Sequence, residues 1–220
     1  MLELLLGEQE ATMKPRIAIL FSALLVAGCS WNALHSQLSV APVHVAFTDY
    51  KKPHRGKYLL LVSGAGLDQK ITVDGKVCTS HDFPLLMSNS FDESVKKTLA
   101  NILEKIEIVS EPQTQKQIRA AKARAFITIK DEGQTGHLLV NPGFLTKDSK
   151  VKLEISAHVQ VLKAQGGVFE EYMSSVDTAS LSIGRCLDAH KTVSAAASKT
   201  LKQLVEQIGS SVSRSLSSKK

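Results

Sequence analysis

The sequence predicts an α/β fold of the α+β kind, and three stretches carry that prediction. Val151, Leu153, Ile155, Ala157, Val159 and Val161 alternate without a break, the period of an antiparallel strand with one face buried and the other in water. Phe91, Val95, Leu99, Ile102 and Ile106 recur three or four residues apart, the spacing of an amphipathic helix. Val193, Ala197, Leu201, Leu204, Ile208 and Val212 repeat that spacing near the end of the chain.

The chain has 220 residues, 43% hydrophobic and 22% charged, enough for one ordinary globular domain with a core of its own. The expected division is a leader over residues 1–28, a small and polar tether over 29–39, a single domain over 40–216 and a frayed basic tail over 217–220.

Within the domain, residues 40–47 alternate enough for a first strand, and 57–62 form an apolar β-leaning run after a basic loop at 51–56. Residues 70–73 make a third short strand. Asp74-Gly75 is a hairpin signal that sends 76–78 back antiparallel. Ser90-Phe91-Asp92-Glu93 reads as a capping box: Ser90 accepts from the third helical amide and Glu93 reaches back to the cap amide. The helix that starts there turns Lys96, Lys97, Asn101 and Glu104 to water, and 106–109 continue as a strand.

A basic stretch runs from Pro112 to Arg124, with a short helix over 115–124 and a strand over 125–130. Asp131-Glu132-Gly133-Gln134-Thr135-Gly136 reads as a turn between that strand and the next at 137–140. Two longer strands follow at 150–163 and 169–183, joined at Gln165-Gly166-Gly167. The last helix spans 188–216, its alanines letting its first half lie close to a sheet, and its serine-rich end from Ser210 frays.

The N-terminus has the grammar of an export signal: Lys14 and Arg16, an apolar run from Ile17 to Ala27, then small residues. That run is short of the roughly 20 apolar residues that a membrane span needs. Met13-Lys14-Pro15-Arg16 makes a better start than Met1 to Thr12, which carries Glu3, Glu8 and Glu10. The stretch Leu25-Val26-Ala27-Gly28-Cys29 resembles the lipobox of bacterial lipoproteins. The resemblance implies cleavage between Gly28 and Cys29 and attachment of acyl chains such as palmitate to Cys29, which then holds the domain on a bilayer without spanning it. Ser30 stands where an aspartate would favour the inner membrane, so the resemblance implies the outer membrane, facing the periplasm.

With Cys29 acylated, Cys78 and Cys186 remain. In an oxidising compartment they pair as a disulfide, closing a loop that the chain-entropy model values at about 4.7 kcal/mol, or they stay as two buried thiols. No Cys-x-x-Cys or His-x-x-x-His pattern points to a metal.

The order of elements behind the lipobox is similar to that of the YajG-type lipoproteins and the auxiliary lipoproteins of lipid-transporting ABC systems, whose fold is related to the TolB N-terminal domain and to CsgG. In that group the first and last helices pack on one face of a mostly antiparallel sheet. The functions implied are non-enzymatic scaffold or adaptor roles in the envelope; the alternative is a lipid-binding or auxiliary component of an ABC-type transport system. The 53–80 stretch with Cys78 departs from the transport auxiliaries.

The chemistry expected is correspondingly sparse: no catalytic residue, cofactor or metal ligand is assigned. The net charge of +6 and pI near 9.2 suit envelope proteins, anionic lipid or lipopolysaccharide as partners rather than nucleic acid, which an exported lipoprotein does not meet. The basic stretches 51–57 and 116–124 are the candidates for such contacts. Seven histidines are scattered without a hydrolase or nucleotide motif. Cys78-Thr79-Ser80-His81-Asp82 collects nucleophile, base and acid in five positions, but triads are assembled by a fold, not by adjacency. Gly64-Ala65-Gly66 reads as a plain turn, since no helix N-terminus follows closely enough to cradle a phosphate.

Overall fold

A computed structural model describes residues 38–45, 53–143 and 145–217, all within one compact unit, His35–Lys220. The leader, Gly28, Cys29, most of the tether, Ala46 and Phe47 of the expected first strand, Lys51, Lys52 and Ser218 to Lys220 lie outside the described residues.

The described strands are β1 (Leu38–Ser39), β2 (His54–Ser63), β3 (Gln69–Asp74), β4 (Phe83–Leu86), β5 (Leu103–Ile108), β6 (Ala123–Pro142), β7 (Lys147–Lys163) and β8 (Val168–Ile183). The helices are α1 (Ser88–Ile102), α2 (Gln115–Ala120) and α3 (Ala189–Ser217). All eight strands join one sheet in the order β1-β4-β3-β6-β2-β5, with β7 on the other side of β6 and β8 beyond it.

The sheet is mixed, which corrects the expectation of a mostly antiparallel one. β2 runs parallel to both β5 and β6, β3 parallel to β6, and β1 parallel to β4. Only the β3–β4, β6–β7 and β7–β8 pairs are antiparallel. The parallel pairs follow from the connections, because parallel neighbours need a crossover and helices supply it. The chain passes through α1 between β2 and β5, and through α2 between β5 and β6.

β6 is a single strand of 20 residues, where two strands and a turn were expected at 125–140. Its first half points Ala125, Ile127 and Ile129 into the core; its second half points Gln134, Gly136, Leu138 and Val140 there. Odd positions give way to even ones because the pairing with β7 slips between Asp131↔Ala157 and Gly133↔Ser156, leaving Glu132 as one extra residue. Such a bulge reverses which parity faces inward. Gly133 sits there at φ +108, a conformation open to glycine at no steric cost. β7 keeps one parity throughout: Ser149 and the six predicted residues from Val151 to Val161 are buried.

On the buried face, α3 packs on β7 and β8, α1 packs on β2 and β5, and the two helices touch. Their expected stripes enter one common core, Ile106 reaching it from β5 because the helix stops at Ile102. The opposite face carries a small second core in which Ile118 of α2 covers Leu59, Ala123 and Phe126. α2 is shorter than the expected 115–124 and is capped by a Thr114–Gln117 capping box.

Ser90 does not cap α1. The carboxylate of Asp68 accepts from the amides of Met87 (2.7 Å) and Ser88 (2.9 Å) and from the Ser88 hydroxyl (2.6 Å). The helix therefore begins two residues earlier, with a negative charge at its positive end. Ser90 instead donates to the Val40 carbonyl, and Ser94 accepts from the Val43 amide at 2.9 Å. Residues 40–45 thus lie against α1 rather than forming a strand, with Val40 O and Val43 N bonded by helix side chains.

Two further expectations are corrected. Residues 76–78 do not return as a strand; the chain bends after Gly75, and β3 finds its antiparallel partner at β4, where Ile71 pairs with Phe83. The serine-rich end of α3 continues as helix to Ser217, because Ser211, Val212, Ser213 and Ser215 are buried and Ser211 and Arg214 are held by Glu171 of β8. Ser211 donates to Glu171 at 2.5 Å, Ser215 to Val212 O at 2.7 Å and Ser217 to Ser213 O at 2.9 Å.

Burial alone would raise the Asp68 pKa, but the three hydrogen bonds from Ser88 and Met87 prevail and hold it below the usual 3.8. Stability from this carboxylate is present above the unfolded-state pKa and is lost as pH falls through the lower folded-state value. Asp68→Ala, which removes the acceptor, is expected to cost about 1–2 kcal/mol at pH 7, as for loss of a helix cap. Denaturant titrations at stepped pH will show the gap to wild type closing below about pH 4.

Candidate functional site

Three places were open to a function from the residues: the Cys78 to Asp82 run, the Gly64 loop and the basic stretches. The structure separates them. Cys78 and Cys186 form a disulfide with Cα atoms 5.5 Å apart and a sequence separation of 108. This resolves the two alternatives for the pair and binds the Cys78 sulfur. Cys78 is buried at φ +66 in the bend that follows β3. Ser80 Oγ lies 3.3 Å from His81 Nδ1, while the Asp82 carboxylate accepts from Lys70 Nζ at 3.0 Å.

Ala65–Leu67 form a short 3-10 turn after Gly64. A Cβ on Gly66 would stand 2.2 Å from Asp131 Oδ2, and one on Gly64 3.3 Å from Asp92 Oδ1. The loop therefore faces carboxylates, the wrong charge for a phosphate cradle, as a plain turn allows. Burial, opposed by Lys96, raises the pKa of Asp92.

The basic stretches converge. His54 and Arg55 open β2, Arg124 opens β6, and Lys163 closes β7, all at one end of the sheet. The cleft between them has a volume of about 820 Å³, within the range of small-molecule sites. It is lined by His54, Arg124 and Lys163, by Tyr58, Val168, Phe169 and Leu216, and by the 164–167 hairpin tip. No described lining residue is acidic.

Each group is placed by identifiable contacts. Arg124 lies across Gly56, where a Cβ would come within 2.6 Å of its Cδ, and its Nη1 donates to Arg55 O at 2.9 Å. Gly56 has φ +103, so its lack of a side chain serves both the backbone and the guanidinium. The Tyr58 hydroxyl donates to the same Arg55 carbonyl at 3.2 Å. His54 Nε2 lies 3.0 Å from Ser213 Oγ on α3. Burial first, and then the positive charge of Arg124, lowers the His54 pKa. The hairpin tip is tied down by Gln115 and Arg119 of α2, which donate to Ala164 O at 3.3 Å and 2.6 Å. The nearby carboxylates Glu104 and Glu107 are engaged, by the Gly56 amide at 2.5 Å and by Lys57 Nζ at 2.6 Å.

A second crevice, about 460 Å³, separates β8 from α3 and is lined by groups of both signs, among them Glu171, Glu206 and Arg214. Arg214 spans it to Glu171 at 2.9 Å, and Gln203 bridges Ser175 and Asp177. The outward face of β8 carries exposed Val168, Tyr172 and Val176, with His158 of β7 stacked on Tyr172 at 4.1 Å between ring centroids.

Among the described residues no cluster of histidine, cysteine or acidic groups could hold a metal, and no helix is long and apolar enough to cross a membrane.

No protein-family model and no curated relative matches the chain. Solved structures give remote likenesses that include bacterial lipoproteins. A Xanthomonas campestris protein of the DUF330 family is 12% identical with a TM-score of 0.42, over 81% of this chain and 94% of that one. A putative neuraminyllactose-binding hemagglutinin homolog from Helicobacter pylori is 10% identical at 0.45, over 79% and 94%. A minor lipoprotein from Acinetobacter baumannii is 11% identical at 0.39, over 72% and 91%.

The disulfide gives a direct test. Breaking a native bridge costs about 2–5 kcal/mol. Denaturant titration with and without reductant is expected to show a loss of that size, and a Cys78→Ser, Cys186→Ser double variant should match the reduced protein and no longer respond to reductant.

Proposed function

We propose that this protein is a lipid-anchored component of the bacterial envelope, held at the outer membrane through Cys29 and facing the periplasm, where it acts as a non-enzymatic adaptor or scaffold. The observation that carries the reading is Leu25-Val26-Ala27-Gly28-Cys29 at the end of an export-type leader, directly ahead of a globular domain. The Cys78–Cys186 disulfide supports it, because such bridges persist in oxidising compartments.

The outward face of β7 and β8 supports the adaptor role. It presents Val168, Tyr172 and Val176 in one row on a strand whose far edge has no partner among the described residues. An exposed edge of this kind is suited to pairing with another chain.

Intact-mass measurement of membrane-extracted protein is expected to find a chain beginning at Cys29 and carrying acyl chains, with Cys29→Ser abolishing both changes. An unmodified thiol or a retained leader contradicts the anchor. Crosslinking in intact cells is expected to recover defined envelope partners; recovery of the monomer alone contradicts the adaptor role.

A further inference from the structure

We propose that the end of the sheet carrying the β6–β7 hairpin tip rests on the bilayer surface, with Leu145 entering the headgroup region and Lys76, Lys150 and Arg185 facing anionic lipid around it. The inference rests on the anchor at Cys29 and adds to it a membrane-facing end of the folded domain.

Three observations lead to it. The first is the direction of entry. β1 runs parallel to β4, β4 antiparallel to β3, and β3 parallel to β6. β1 therefore runs opposite to β6, and the chain ahead of Leu38 comes from the side on which β6 ends at Pro142. Leu38 stands level with Leu85 and Gln69, and Gln69 O accepts from Gln134 Nε2 at 3.5 Å. Pro142 is eight residues of strand beyond Gln134, about 27 Å. Residues 29–37 are nine in number and span at most about 32 Å. A sulfur held in the bilayer at Cys29 thus has this end of the sheet within reach, whereas Ala123, where β6 starts, is farther and lies behind the direction of entry.

Second, all four exposed leucines among the described residues lie at this end. Leu145, 86% exposed, is on the tip between β6 and β7, in a turn where glycine, asparagine, aspartate or serine is usual. Leu187, 50% exposed, is on the connection from β8 to α3, and Leu139 and Leu181 stand near the ends of β6 and β8. Apolar side chains gathered at one end of a domain mark a surface that something covers. Third, the charge at this end suits anionic lipid. Lys76 and Lys150 are exposed, and the Arg185 side chain is 80% exposed although it reaches Asp188 at 3.5 Å. The acids here are engaged within the chain: Asp74 lies 3.1 Å from His137 Nδ1, Asp148 accepts from Ser182 at 2.9 Å, and Asp188 accepts from the Arg185 amide at 3.1 Å. Cations stand at the opposite end too, so charge alone does not choose between the ends; the leucines and the direction of entry do. Apolar side chains ringed by cations match the boundary between acyl chains and anionic headgroups.

The test uses the membrane-extracted chain reconstituted into vesicles of phosphatidylcholine and phosphatidylglycerol, with a nitroxide on Leu145→Cys or on Gln165→Cys. Gln165 is exposed on the opposite hairpin tip, across the length of β7, about 55 Å away. Both substitutions are at exposed positions and should keep the wild-type unfolding midpoint, and the Cys78–Cys186 bridge keeps those sulfurs from the label. The label at 145 is expected to collide with dissolved oxygen and to be shielded from a water-soluble nickel chelate, with an oxygen-to-nickel ratio several-fold above that at 165. Replacing phosphatidylglycerol by phosphatidylcholine, or Lys76→Gln with Lys150→Gln, should lower the ratio at 145; no change in either would overturn the part given to the cations. Equal ratios at the two tips, or a higher one at 165, would overturn the proposal. Shielding of 145 from oxygen and nickel alike would mean that protein covers the tip, and would overturn it as well. A chain acylated at Cys29 that gives equal ratios sinks this inference alone, whereas an unmodified Cys29 in the intact mass sinks the anchor with it.

Discussion

Three strands line the two edges of β6, and the rest of the sheet is built outward from them. β7 lines one edge for its whole length, while the other is shared by β2 against the first half and β3 against the second. A strand this long, 20 residues against a usual five or six, keeps one face buried only if its parity is managed. Glu132 and Gly133 do this. With one residue fewer at the bulge, Leu138 and Val140 would turn to water and Thr135 and His137 into the core, at a cost of two buried aliphatic side chains at about 1.5–3 kcal/mol each.

The placement of everything else follows. β2 and β3 follow one another in the same direction along one edge of β6, and the short 3-10 turn at Ala65–Leu67 between them sets Asp68 against the start of α1. α1 and α3 then lie side by side over the core. α3 is fixed at its far end by polar contacts to β8, with Glu171 holding Ser211 and Arg214, and by the Cys78–Cys186 bridge near its start. The same geometry gathers the first residues of β2 and β6 and the last of β7 at one end of the sheet, which is why His54, Arg124 and Lys163, from three separate segments, line one cleft.

What can be read from the residues depends on whether the physical signal is local. β7 and β8 are legible because alternation on a half-buried antiparallel strand is a sequence-local pattern, and the stripes of α1 and α3 because 3.6-residue spacing is too. β6 reads as two strands because Asp131 to Gly136 contains the residues of a turn, and a glycine bulge uses the same residues; the change of parity between Ile129 and Leu138 is the signal that one strand continues. β4 escapes notice because Pro84 argues against a strand. Ser90 has the right motif in the wrong role, since a carboxylate about 20 residues upstream, on Asp68, takes the amides at the helix start. The parallel pairings, and the cleft, rest on which distant segments become neighbours. The basic stretches themselves are visible, but Gly56 beneath Arg124 and the places of Phe169 and Leu216 in the cleft leave no mark in any one window.

The continuity of β6 is the claim on which the other placements rest, and native-state hydrogen exchange reads it amide by amide. If β6 is one strand, amides in 125–130 and 134–140 exchange together in the slowest class, well behind the bend at 75–82 and the outer edge of β8. If instead 131–136 exchange at loop rates while the segments on either side open independently, β6 is two strands joined by a turn, and the arrangement of β2, β3, α1 and the cleft described above is wrong.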